Sequence, residues 1–249
     1  MKEFLLDPKF LIPFLSTLGA SCTILAIHAS ASFFKTIKRK TYAIAYMTDV
    51  AVTLLQSSII IQGKTISPHI EATKRILKGD SDLLEKTLLA DEFDILTDSP
   101  MRFNHLPEEY KVLIGYDNLR LVQCFETILY MHENETKRKH FNEFVRNNLK
   151  AMLAFQEKSQ QEKEDILNTY WDYLSSLEHA ENRIIATIVH VFLPYIREYL
   201  NKMCFFFCYK NEVHSTLNLS EELIEKHGEL IPTTEFFQKS VSGGIQKLV

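Results

Sequence analysis

Arg183 and His190 stand seven residues apart in "NRIIATIVH", a spacing that puts both on one face of a helix. An arginine that holds phosphate beside a histidine that moves protons could cleave RNA. The residues around His190 are almost all apolar, including Ile185, Ile188 and Phe192. A second reading of the same pair is therefore structural: Arg183 snorkels into water and His190 packs with a local hydrogen-bond partner. No residue is assigned a catalytic role; Arg183 and His190 are the alternative. Cys204, Cys208 and His214 in "CFFFCYKNEVH" offer soft ligands of the kind zinc prefers, but a fourth is not evident. They read as packing residues, and no metal or cofactor is expected. Asp91, Glu92, Asp94 and Asp98 have no regular ligand spacing and read as a solvated loop. Two basic groups could receive an anion or a lipid headgroup. One is Lys137, Arg138 and Lys139, with Arg146 and Lys150 further along; the other is Lys35, Lys38, Arg39 and Lys40.

Stronger signatures are absent from the sequence. There is no Gly-rich phosphate loop, no H-E-x-x-H, no G-x-S-x-G and no paired C-x-x-C. A formal charge of −4 supplies no global basic field, so nucleic acid is not an expected partner. Four scattered cysteines do not make a disulfide scaffold and fit a reducing compartment.

The most informative element precedes all of these residues. Leu11 to Phe34 contains no Asp, Glu, Lys or Arg. As a helix it would extend about 36 Å, enough to cross a hydrocarbon core about 30 Å thick. Ala29-Ser30-Ala31 resembles a signal-peptidase site, but the start of the chain is not clearly basic. The cluster Lys35, Lys38, Arg39 and Lys40 follows at once and opposes export of what comes after it. The run therefore reads as an anchor: residues 11–34 in the bilayer, the N-terminus outside, and the body on the cytoplasmic side of the inner membrane. Residues 42–62 are also apolar, but Asp49 interrupts them. They read as a helix continuing from the anchor, with a second span left open.

With 7 Gly and 7 Pro in 249 residues, the rest favours long helices over short strands. Ser67, Pro68 and Gly79 punctuate one helix as cap, first turn and stop. A short helix is expected through "SDLLEKTLLADEF". Pro107 opens a long one whose apolar positions include Tyr110, Ile114, Leu121, Phe125 and Ile128. Another begins near "KRKHF", and a further one carries Trp171. Pro194 is expected to kink the apolar helix that follows, and Gly228 to stop the last. The expected fold is all-α: an N-terminal transmembrane helix with its basic stop (1–40) and a cytoplasmic helical bundle (41–249).

Two stretches, "SFFKTIKRKTYAIAYMTDV" and "LPEEYKVLIGYDNLRLVQCFETILYMHEN", resemble the span-to-helix junction and central helix of bacterial single-pass membrane proteins with a helical cytoplasmic domain of unknown function. They cover under a quarter of the chain. The resemblance implies an effector or accessory in stress or phage defence and carries over no catalytic residue. Separately, Arg183 and His190 resemble the R-x(4–6)-H motif of the HEPN ribonucleases, departing from it where Ile184 replaces the usual polar residue. The function expected is a non-enzymatic, membrane-tethered binding or effector module. Its partners would be the bilayer, and a second copy or another protein. A HEPN-like ribonuclease is the alternative.

Overall fold

The computed structural model describes residues 8–79, 103–154, 159–202, 210–236 and 238. Side chains are described outside 8–15, 18, 135–154, 160 and 210–212. All regular structure among the described residues is helical. Helix α1 runs from Pro8 to Ile61 and passes through a π turn, Gln62–Ile66, into α2, Ser67–Leu77. Helix α3 spans Glu108–Ala154 and α4 spans Gln160–Thr187; a second π turn, Ile188–Phe192, leads into α5, Leu193–Lys202. Helix α6 spans Lys210–Lys226 and ends near a 3₁₀ turn, Gly228–Leu230.

The long α1–α2 rod is the spine of the bundle. Its core face carries Ala43, Ile44, Met47, Val50, Ala51, Leu54 and Leu55, which pack with Ile114, Leu121, Phe125, Ile128, Ile188 and Phe192. This periodicity buries a stripe along one side, and Asp49 lies outside it in solvent. Of residues 42–62, most pack into the bundle, while Tyr42, Asp49, Gln56 and Ile60 stay exposed. A smaller cluster joins Ile66, Ile70 and Ile76 to Leu167, Tyr170, Leu174 and Leu177.

The α4–α5 rod runs antiparallel to this spine. The buried His69 meets the Tyr170 hydroxyl at 3.0 Å. Gln62 Nε2 donates to Glu178 at 3.2 Å. Further along, Lys40 and Tyr199 share one carboxylate, that of Asp117.

Each rod is interrupted by a π turn just before a proline. The Ser67 N–H donates to Gln62 O and the Leu193 N–H to Ile188 O, five residues back in both cases. Pro68 and Pro194 have no N–H, and an α-helical ring would press on the carbonyl four residues earlier. A wider turn there accommodates that loss without ending the helix. Ser67 is consequently not a cap: its φ and ψ are −61° and −46°, inside a continuous helix. Gly79 does end α2, with φ +104°, a conformation a side chain would disfavour.

Helix α3 departs from the expected single long element. Asn118 has φ −152° and ψ 83°, which breaks the helix there. The two arms fold back on each other. Lys111 reaches Glu126 at 3.2 Å, and His105 binds Glu126 at 2.9 Å and Glu133 at 3.0 Å. A straight helix would hold residues 111 and 126 about 22 Å apart. The Asn118 side chain caps the second arm, its Oδ1 accepting from the Leu121 N–H at 3.2 Å. The expected helix boundary before Lys137 is instead continuous helix. The expected helix over 81–93 lies outside the described residues.

Candidate membrane interface and the cleft beside it

The first part of α1 projects from the bundle. Every described side chain from Ser16 to Lys35 is exposed, and burial begins at Ile37. Ile24, Leu25, Ile27, Phe33 and Phe34 each leave more than half of their surface open. A core helix of equal apolarity would have these residues covered. The helical stretch Gly19–Leu77 is long and apolar enough to cross a membrane by length and composition, and its most apolar window is 56% buried, so that window includes residues packed in the bundle. Lys35, Lys38 and Arg39 are exposed where the rod meets the body, and Lys40 is half-buried. The structure therefore places the first basic group at one level of α1. The side chains of Lys137, Arg138 and Lys139 lie outside those described.

Lys40 anchors a network at this end of the body. Its ammonium pairs with Asp117 Oδ2, which also accepts from the Tyr199 hydroxyl at 2.9 Å. Tyr199 is 3% exposed; burial, and then the adjacent carboxylate, raise its hydroxyl pKa well above the ordinary value. Asp117 immediately precedes the break at Asn118, so the network holds the bend of α3 against α1 and α5.

A cleft of about 370 Å³ opens at the bend, lined by Asp117, Asn118, Arg120, Tyr195, Glu198, Tyr199 and Lys202. Lys202 donates to Glu198 at 2.7 Å across one helical turn. That contact, with Arg120 nearby, holds the Glu198 carboxyl below its usual pKa. The cleft offers both signs of charge and two phenols, which suits a polar, charged ligand group. The sequence did not mark it, because its residues come from two separate stretches, 117–120 and 195–202. The local signal was the pair Asp117–Asn118, two turn-forming residues inside an otherwise helical pattern.

Arg183 lies in the last turns of α4 and His190 in the π turn that follows it. Arg183 is exposed, and its carbonyl accepts from the Thr187 hydroxyl. His190 sits in the second π turn, half-buried, with Nε2 2.7 Å from Pro232 O. A carbonyl can only accept, so this nitrogen carries the proton. The partner is 42 residues distant rather than local. His214 is exposed, while Cys204, Cys208, Asp91, Glu92, Asp94 and Asp98 lie outside the described residues. No group of three metal-ligating side chains occurs among the described residues. Compared with known proteins, the chain matches no family, no curated protein and no solved structure.

Proposed function

We propose that this protein is a membrane-tethered helical binding module, held by residues 11–34 of α1 with its N-terminus outside and its bundle on the cytoplasmic side of the inner membrane. The observation that carries the reading is the bare apolar rod. Ile24, Leu25, Ile27, Phe33 and Phe34 are open to the surroundings, whereas from Ile37 onward the same helix is packed into the bundle. Burial of such surface in hydrocarbon is strongly favourable, and each open side chain of this size contributes about 1.5–3 kcal/mol when fully covered. The basic cluster favours the orientation.

The module works as an effector by binding rather than by chemistry, through self-association or a protein partner. Tethering raises the effective concentration of copies in the membrane plane and so supports weak contacts. The role in stress or phage defence rests on the resemblance of the junction and the central helix. The surroundings of Arg183 and His190 add no support to the ribonuclease alternative.

Alkaline carbonate extraction of membranes tests the tether. The full-length chain should stay in the pellet; a shortened, soluble chain beginning near Ser32 would refute it. Cross-linking in the same membranes tests the partner. A discrete dimer or a discrete larger adduct is expected, and monomer alone at every expression level would remove the association.

A further inference from the structure

The bend of α3 lies beside the anchor, and it carries the most exposed of the large hydrophobic side chains described, Tyr116. Tyr116 is 93% exposed and Leu119 is 58% exposed, on either side of Asp117 and Asn118. Lys40, which holds Asp117, is six residues past Phe34. At helical rise this is about 9 Å beyond the apolar run. The headgroup layer on each face of a bilayer is about 5–8 Å thick, and a modest tilt of the rod shortens the distance.

We propose that the α3 bend is a second membrane contact, with Tyr116 and Leu119 seated in the headgroup layer of the leaflet that the anchor crosses and Arg120 and Lys202 facing its lipid phosphates. The proposal rests on the anchor reading. Three features select lipid as the occupant. The bend is tied to α1 through the Lys40–Asp117 pair, six residues past Phe34 at the end of the exposed apolar rod. Tyrosine, with an apolar ring and a polar tip, suits the membrane–water boundary. Charge also complements it: segments 35–40, 116–120 and 198–202 together hold six cations and two carboxylates, in a chain of net −4. Both carboxylates are engaged, Asp117 by Lys40 and Glu198 by Lys202. An anionic leaflet therefore meets a surface with excess positive charge.

The bend is held firmly enough to act as a contact. Asp117 is fixed by Lys40 and Tyr199, and the two arms are cross-braced by Lys111 and His105 on Glu126. Seating the bend would fix the rotation of the body about the anchor and set which face of the bundle looks along the membrane.

Full-length protein in vesicles of phosphatidylcholine and phosphatidylglycerol allows a direct test, because Trp171 is the only tryptophan. In a Trp171→Phe background, Tyr116→Trp, Leu25→Trp and Tyr130→Trp each report one position. Tyr130 is an exposed control on the second arm of α3. Lipids brominated near the headgroup end of their chains should quench the indole at position 116 but not at 130, and iodide should reach 130 better than 116. Lipids brominated deep in the chains should quench position 25. Quenching at 25 with an iodide-accessible, bromine-insensitive indole at 116 overturns the second contact and leaves the anchor standing. Protection from iodide at 116 without bromine quenching means that protein covers the bend, and also overturns it. Absence of quenching at both 25 and 116 refutes the anchor reading and this inference with it.

Discussion

Asp117 is the residue on which the end of the body next to the exposed rod converges. One oxygen, Oδ2, serves both the Lys40 ammonium and the buried Tyr199 hydroxyl. Removing a partner from such a group costs more than the bond itself, because the other groups stay desolvated. Asp117→Ala should therefore lower stability by about 2–3 kcal/mol, and Tyr199→Phe by about 1–2 kcal/mol, since Asp117 keeps Lys40. Chemical unfolding of the purified chain in detergent checks the order. His105 gives a second test. Hydrogen bonding to Glu126 comes first among the causes that raise its pKa, and Glu133 adds to it. A raised folded-state pKa means stability that is fully present below the unfolded value, about 6.5. It is lost as pH rises through the higher folded value. The wild type should exceed His105→Gln in melting temperature at mildly acidic pH, and the gap should narrow through that window. Exposure of this pair keeps the effect to about 1 kcal/mol or less.

At the level of elements, much of the helical layout follows from local chemistry. Pro107 starts α3, with its carbonyl accepting from Tyr110 and Lys111. Gly79 stops α2 because it can take φ +104°. The apolar positions expected on one face, Ile114, Leu121, Phe125 and Ile128, are all buried. The bend between Ile114 and Leu121 was hidden for the same reason: both arms use one core, so the apolar period continues across the break. Ser67–Pro68 misled in the opposite sense. A proline near a hydroxyl looks like a helix start, but here a π turn carries the chain through. Periodicity reports which face is buried and is blind to whether the axis reverses. Asn118→Ala tests the bend directly. Loss of the cap on Leu121 should cost about 1 kcal/mol. If the arms straighten, a cysteine pair placed at Lys111 and Glu126 in a background lacking the native cysteines should no longer cross-link; in the parent bend it should.

For the whole molecule, the division between a bare rod and a packed bundle is the feature most legible in the sequence. An uncharged run followed by Lys35, Lys38, Arg39 and Lys40 marks the junction, and burial begins at Ile37, inside that cluster. The cleft at the bend was not legible, because it joins residues from α3 and α5 that only tertiary packing brings together. The antiparallel course of the two rods returns α5 to the end of the bundle near Lys40 and so creates it. The central claim is that α1 crosses the bilayer with the bundle on the cytoplasmic side. Protease added to sealed membrane vesicles of known orientation tests it most directly. In inverted vesicles the bundle should be digested, leaving a protected fragment that ends near the basic cluster. In right-side-out vesicles the bundle should remain intact. Digestion of the bundle in right-side-out vesicles, or loss of the protected fragment in inverted ones, would contradict the account.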